Sequence, residues 1–326
     1  MPFPNQNFFL YLNIDFLPAA WSAYRGQLIT VSTFGTEEFR PLSYWPLGLL
    51  KDRRILRFQK ELELERIRRE FYSAQVSRLH GIYMWGDAQT ARRGERWRET
   101  EGNHFHADYL VEVSFTYRRL SRVDTNWIDK YLLPDSVSFD RNDVAWMHSY
   151  WRGEPCPDSD PLWEYIAEGR GVIYGTTLRM QAYEKVKCMA PESLGQLELG
   201  RIAVELKSDL YHSAPFIRQI AQTQFRVDFF LDARDQNDDF MKKAGHYIDQ
   251  LARTDSSKIN WNALNLLRGD TRLPDLRSMG FAFDCQEFST DERTLIESVV
   301  SPHDGSIWYG MTELTDVNLV PNIPHS

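Results

Sequence analysis

The segment Ala107–Tyr117, ADYLVEVSFTY, constrains the fold more than any other part of the chain. Val111, Val113, Phe115 and Tyr117 alternate with Glu112, Ser114 and Thr116, and a period of two places the apolar set on one face of a β-strand. A strand with one apolar face needs neighbours and a covering layer, so a sheet must form here. Phe8–Asp15, Gln27–Thr33 and Val76–Trp85 read as further strands, and Val172–Thr177 and Gln181–Val186 as two more. Between them, Arg53 to Gln75 is helical but carries two apolar stripes. Ile55, Phe58 and Leu62 form one; Leu64, Ile67 and Phe71 form another about half a turn away. Such a helix either bends or is covered on two sides. Asp87 is placed to cap a helix running through Arg98, and Asn142–Trp151 forms a short aromatic helix stopped by Gly153 and Pro155. Strands and helices interleaved in this way predict an α+β domain over residues 1–190.

Composition shifts at MAPESLGQLELGR, where Pro191-Glu192-Ser193 marks a boundary. Beyond it, helices are expected at Leu194–Tyr211, Pro215–Phe225, Asp238–Arg253 and Ile259–Arg268. A strand, a helix at Thr290–Val300 and a Gly/Trp/Tyr-rich turn follow within Phe281–Val320. A mostly helical accessory domain is therefore predicted over residues 191–326. At 326 residues the chain is long enough for two such units.

Bulk numbers remove several classes. With 26% charged and 42% apolar residues the chain has an ordinary globular balance, not that of a disordered protein. No stretch approaches a membrane span, the apolar run Phe8–Leu12 lacks the basic lead of a secretion signal, and Cys156, Cys188 and Cys285 are too dispersed for a disulfide framework. A cytoplasmic protein is expected. The net charge of −8 hides an uneven spread, because residues 51–100 carry 13 Lys and Arg against 8 Asp and Glu. That basic stretch, with Arg53, Arg57, Arg68 and Arg92 as its chosen contacts, offers a face for phosphates. It also holds Arg54, Arg66, Arg69, Arg93, Arg96 and Arg98, and abundant Trp and Tyr suit stacking on bases.

The sequence has no GxxxxGK[ST], HExxH, GxSxG or GxGxxG, so the usual ATPase, zinc-protease, hydrolase and dinucleotide-fold signals are missing. His104 and His106 share a strand face in the predicted register, yet no third metal ligand is signposted, and no metal is expected. Asp232–Asp239, DARDQNDD, lacks the spacing and glycine of a calcium loop and reads as a solvated loop or helix cap.

One carboxylate stands apart. In DPLWEYIAEGRGVIYG, Asp160–Gly175, Glu164 sits between Trp163 and Tyr165 directly ahead of a strand-like segment. Buried carboxylates are rare without a partner, so this one lies on an edge or is placed for chemistry. Two longer segments bear on the choice: ERIRREFYSAQVSRLHGIYMWGDAQTAR, Glu65–Arg92, and AWMHSYWRGEPCPDSDPLWEYIAEGRGVIYGT, Ala145–Thr176. Together they resemble a bacterial branch of largely uncharacterised domains in the ADP-ribosyltransferase superfamily. The matching positions are Glu65 and Arg68, then Ser77 and Arg78 with Tyr83, then Tyr150-Trp151-Arg152-Gly153 and Pro161-Leu162-Trp163-Glu164. Gly81-Ile82-Tyr83 is also similar to a Gly-Ile-Tyr segment of poly(ADP-ribose) polymerases. The resemblance covers about residues 8–190.

The resemblance implies a split β-sheet domain and mono-ADP-ribosyl transfer from NAD, with NAD as co-substrate. Glu164 would be the catalytic carboxylate, stabilising an oxocarbenium-like ribose, with Trp163 and Tyr165 excluding water. Tyr83 would stack on nicotinamide, Ser77 would support the site by hydrogen bonds, and Arg78 would meet the pyrophosphate or a nearby carboxylate. Asn13 falls where the family carries a ribose-binding His. It can still bind a ribose but carries no charge, so Tyr11, or Tyr24 with Arg25, are alternative sources of the contact. The acceptor would be a macromolecule: RNA, DNA or protein. A toxin or phage-defence effector, with an inhibitory antitoxin or chaperone partner, fits the family's company. A non-catalytic binding protein keeping the same fold is the rival expectation.

Overall fold

A computed structural model describes residues 3–30, 40–97, 102–134, 144–267, 272–286 and 288–301. The chain opens with β1 (Asn5–Tyr11), α1 (Leu17–Arg25), β2 (Gln27–Ile29), α2 (Tyr44–Lys51), α3 (Ile55–Phe71), β3 (Ile82–Trp85) and α4 (Ala88–Arg93). It continues through β4 (Leu110–Asp124), α5 (Asn126–Tyr131), α6 (Ala145–Trp151), β5 (Trp163–Ile173) and α7 (Thr176–Met189). The remainder is α8 (Leu194–Glu205), β6 (Ser213–Gln219), β7 (Gln224–Leu231), α9 (Asp238–Thr254), α10 (Trp261–Leu266), β8 (Phe281–Asp284) and α11 (Thr290–Glu297). The architecture is α+β with two antiparallel sheets.

The predicted strand around Val113 is the hub of the first sheet. β4 pairs with β1 from Asn5↔Thr116 to Tyr11↔Leu110, and with β5 from Val113↔Ile173 to Asp124↔Trp163. β5 in turn holds β2 and β3 on its other edge, and β3 meets β1 at Phe9↔Trp85. The strands β1, β4, β5 and β3 thus close on one another. Strong curvature is needed, and a β-bulge between Tyr117 and Arg119 supplies it. Opposite the bulge, Gly169 has φ +158°, and a Cβ there would lie 2.0 Å from the Thr116 carbonyl oxygen. Only glycine lets the two backbones approach this closely.

α3 carries its two apolar stripes into two different cores, apart from Phe71, which is exposed at the end of the second. Phe58 and Leu62 join the cluster of Phe8, Leu10, Val113 and Phe115. Leu64 and Ile67 join Tyr11, Trp85, Val123 and Ile166. Covered on both sides, the helix also buries Lys60, Glu61 and Glu65, an arrangement that requires each charge to find a partner. The Lys60 ammonium donates to the Tyr131 and Pro134 carbonyls at 2.9 and 3.3 Å.

Several elements differ from the sequence reading. Val172–Thr177 is not a strand of its own, since Val172 and Ile173 end β5 and Thr176 and Thr177 open α7, and the strand read at Val76–Trp85 is confined to Ile82–Trp85. Gln181–Val186 lies inside the helix α7, where Leu178, Ala182, Tyr183 and Val186 share a buried face at helical spacing. Pro215–Phe225 is not helical; it spans the β6–β7 hairpin, in register from Ser213↔Leu231 to Gln219↔Phe225. Phe216, Ile217 and Ile220 mimic a helical stripe, but Ile220 is exposed, and the period of two in Phe225, Val227, Phe229 and Leu231 governs the pairing. The region after residue 191 therefore combines helices with a three-stranded sheet, β6–β7–β8. No gap in packing marks residue 191, since Phe8 and Val113 share one cluster with Leu197, Phe229 and Val299. Trp21 Nε1 donates to the Tyr211 carbonyl at 2.9 Å across the same join.

The acidic run at Asp232–Asp239 does serve as a cap: Asn237 Oδ1 accepts from the Phe240 N–H at 3.0 Å and starts α9. No helix among the described residues is long and apolar enough to cross a membrane. Arg98 and the Gly/Trp/Tyr-rich turn lie outside the described residues.

The close approach at Gly169 yields a test. Gly169→Ala is expected to destabilise the protein by about 3 kcal/mol, because the Thr116 backbone opposite cannot move aside without opening the sheet. Urea unfolding of the two proteins measures the difference, and equal midpoints would show that the bulge relaxes freely.

Candidate functional site

The site is assembled where α3, the turn ahead of β3 and the paired strands β3 and β5 meet. Glu164 is the register partner of Trp85 on β3 and of Val123 on β4, so all three side chains project from one face. Tyr83, two residues before Trp85, projects from that face as well. Trp163 and Tyr165 consequently point away from Glu164. Tyr165 packs on Phe8 at 5.3 Å, and Arg122 lies 3.8 Å over the Trp163 ring. The expectation that these two aromatics shield Glu164 from water is corrected by the alternation of the strand.

Arg78 organises the centre from the turn ahead of β3. Its guanidinium is buried and forms a forked pair with Glu61 of α3, Nε to Oε2 at 2.9 Å and Nη2 to Oε1 at 2.8 Å. Nη1 donates to the Tyr150 hydroxyl of α6 at 2.6 Å. Glu164 Oε2 lies 3.8 Å from the same Nη1, beyond hydrogen-bond reach. Trp45 Nε1 donates to Glu61 Oε1 at 2.6 Å, and the Tyr83 hydroxyl donates to the Arg78 carbonyl. The guanidinium also stands 5.0 Å from the Tyr83 ring centre and 5.5 Å from that of Tyr150. Of the two roles expected of Arg78, the structure supplies the second, a contact with nearby carboxylates.

Two buried carboxylates thus share one cation, and they share it unequally. Glu61 takes the bidentate contact. Burial drives the Glu164 carboxyl up to about 7; Arg78 pulls it back, and the Glu61 charge pushes it further up. At neutral pH Glu164 stands near the midpoint between a neutral acid and a carboxylate.

One turn further along α3, Glu65 builds a second network. It pairs with Arg68 and Arg69 and accepts a hydrogen bond from Ser77 Oγ at 2.9 Å. Ser77 Oγ in turn meets His80 Nδ1 at 3.2 Å. Ser77 makes these bonds without lining the cavity.

A cavity of about 410 Å³ opens beside these groups, a size typical of small-molecule sites. Glu164, Arg78, Tyr83, His80, Trp45 and Asn13 all line it. Asn13 follows the end of β1, with Oδ1 accepting from the Asp15 N–H at 3.1 Å. Among its expected substitutes, Tyr11 lines the cavity, but its hydroxyl donates to the Ala91 carbonyl at 3.1 Å. Tyr24 and Arg25 are corrected: neither lines the cavity, the Tyr24 hydroxyl donates to Glu198 at 2.7 Å, and Arg25 is wholly buried.

The expected basic face is only half present. Arg53 and Arg92 are exposed, whereas Arg57 is buried and Arg68 is turned onto Glu65 with little exposure. A helix covered on both sides leaves little room for an outward stripe of arginines. Arg93 and Arg96 are engaged by Asp160 and Asp129. His104 lies in a short 3₁₀ turn and His106 caps the next one, both ahead of β4 rather than on a strand, and no group of three metal-ligating side chains gathers among the described residues.

Sequence reasoning missed Glu61, Trp45 and His80 and gave Tyr150 no role. The signal for Glu61 was its spacing of four from Glu65 on a helix with apolar residues on both sides. Compared with models of protein families and with curated proteins, the chain matches none.

A carboxyl raised on folding loses its stabilising contribution as pH climbs through its folded value. From the ordinary carboxylate range to about 7, Glu164 is expected to cost the folded state up to about 3 kcal/mol. Glu164→Gln should therefore unfold at higher urea than the wild type at pH 8, by about 1–3 kcal/mol, and show no such gain at pH 4.5. A gain independent of pH would mean that Glu164 titrates normally.

Proposed function

We propose that the cavity beside Glu164 binds NAD and that the protein is a mono-ADP-ribosyltransferase, acting in the cytoplasm on a macromolecular acceptor. The observation that carries this reading is the placement of Glu164: buried, fixed on a strand and lining the cavity, with a carboxylate that makes no hydrogen bond among the described residues. Such a carboxylate is free to act on a positive charge brought by a ligand. The nicotinamide–ribose bond of NAD supplies one, first on the pyridinium ring and then on the ribose as the bond breaks.

In this mechanism the electron pair of the C1′–N bond leaves with nicotinamide, which departs neutral. Positive charge develops on the ribose and is stabilised by ionised Glu164. The acceptor atom then bonds to C1′ and gives up its proton to water. Tyr83, anchored through its hydroxyl to the Arg78 carbonyl, offers an aromatic wall for the ring. Arg78, neutralised by Glu61, holds that wall and tempers the Glu164 charge.

The α+β fold with antiparallel sheets is the part of the expected architecture that supports this reading, and the region after residue 191 would meet an acceptor or an inhibitory partner. A toxin or phage-defence effector is the setting we propose. The acceptor is protein, RNA or DNA; with Arg57 and Arg68 turned inward, less basic surface remains for nucleic acid than the sequence suggested. Asn13 favours one rival, a binding protein without turnover, because it brings no charge to the ribose.

Labelled NAD incubated with separate pools of RNA, DNA and cell protein tests the reading. Label is expected in one pool, with nicotinamide released, and Glu164→Gln should lower the rate by about 100-fold or more. The rate should rise with pH and level off above about 7, as Glu164 ionises. Full activity of Glu164→Gln would remove its catalytic role, and no nicotinamide release with any pool would favour the binding protein.

A further inference from the structure

His80 lines the same cavity, and the network behind it fixes which of its ring nitrogens carries the proton. Three groups converge on the Ser77 hydroxyl: Glu65 Oε2 at 2.9 Å, the Leu79 N–H at 3.2 Å and His80 Nδ1 at 3.2 Å. Ser77 has one proton to give. Glu65 is held ionised: burial alone would raise its carboxyl, but Arg68 and Arg69 more than offset this and bring it below the ordinary value. An ionised carboxylate can only accept, so the Ser77 proton goes to Glu65. The lone pairs of Ser77 are left to receive the Leu79 N–H and an N–H from His80. Nδ1 therefore carries the imidazole proton, and Nε2 presents a bare lone pair.

That lone pair has no protein partner among the described residues, and His80 is a half-buried residue at the cavity wall. Burial also keeps the imidazole uncharged, its titration lowered to about 4. A neutral ring whose accessible nitrogen can only accept selects for a ligand group that donates, and rejects carbonyls and phosphate oxygens at that point. With Glu164 ionised, His80 Nε2 and the Glu164 carboxylate are both acceptors on the cavity wall, and a ring bearing hydroxyls can donate to them.

We propose that His80 is a substrate-binding residue that accepts a hydrogen bond from a sugar hydroxyl, with Ser77 and Glu65 as the residues that hold its tautomer. The assignment rests on the NAD reading, under which the hydroxyl belongs to the nicotinamide ribose. His80 then supplies a contact that Asn13, with its Oδ1 already engaged by the Asp15 N–H, serves less well. Ser77 acts through His80 rather than by touching the ligand.

Calorimetry with the full chain tests this, using NAD and its two analogues lacking the 2′- or the 3′-hydroxyl of the nicotinamide ribose. Wild type should bind NAD about five- to tenfold more tightly than one of the two analogues. His80→Ala should bind NAD and that analogue equally. Ser77→Ala should lose most of the discrimination, and Ser77→Thr, which keeps the hydroxyl, should retain it. Nitrogen NMR of labelled histidine should show His80 protonated at Nδ1 in wild type. Undiminished discrimination in His80→Ala, or an Nε2-protonated ring in wild type, would overturn the His80 assignment alone. A wild type that binds no NAD overturns the dinucleotide reading and the hydroxyl contact with it, so the two failures are told apart.

Discussion

The cavity and its chemistry depend on one buried ion pair, Glu61 with Arg78. A guanidinium cannot shed its charge in a protein, so burying Arg78 is tolerable only with a well-placed anion and with its remaining donors occupied. Glu61 meets that demand with two short bonds, and Tyr150 takes a further donor. Glu164 arrives as a second carboxylate on a cation already spoken for. Two negative charges against one positive charge in a low-dielectric interior cannot both be fully ionised at low cost, and the less well bonded group yields. Burial is the main cause of the raised titration of Glu164; Arg78, held by Glu61, offsets only part of it, and the Glu61 charge adds to it.

α3 makes this arrangement possible because it is packed on both sides. A surface helix turns its charged side chains to water, but this one has no free side along most of its length, so Lys60, Glu61 and Glu65 are enclosed. Each is directed to a distinct part of the fold: Lys60 to the carbonyls near the end of α5, Glu61 to the turn before β3, Glu65 to Ser77. Glu61 and Glu65, one helical turn apart, therefore fasten the same short turn at two points. Through it they set the position of Tyr83 and the tautomer of His80. Hydrophobic packing decides where α3 lies, and the ions it encloses decide what the neighbouring turn can present to the cavity.

This division explains what could be read from the sequence. The strand at Val113, the double-striped helix and the lone Glu164 were legible because each is a local pattern: a period of two, two stripes half a turn apart, a carboxylate ahead of a strand. Arg78 and Tyr83 stood out through a resemblance and do line the cavity. The β6–β7 hairpin was not legible, because Phe216, Ile217 and Ile220 fit a helical stripe as well, and only pairing with Phe225–Leu231 distinguishes the two. The inward turn of Arg57 and Arg68 was hidden for a related reason. Charge in a sequence is assigned to solvent by default, and only the packing of α3 on both faces shows otherwise. His80 was passed over because its significance lies in Ser77 and Glu65, twelve residues apart, meeting at a single hydroxyl.

The cost of Glu164 also bears on what the cavity is suited to hold. A carboxyl near its midpoint at neutral pH is a poor structural element; a glutamine of the same shape would fill the space without the electrostatic penalty. Its value appears only when a ligand brings positive charge, since the ligand then supplies the compensation that Arg78, engaged by Glu61, withholds. Binding and ionisation are coupled in both directions. A cationic ligand favours the carboxylate, and an ionised carboxylate tightens the hold on the cation, by the same free energy. Interactions that strengthen as positive charge moves toward the carboxylate stabilise a transition state more than a ground state. A ligand that carries, or develops, positive charge beside Glu164 would gain the most from this carboxylate, because the compensation it brings is the one Arg78 withholds.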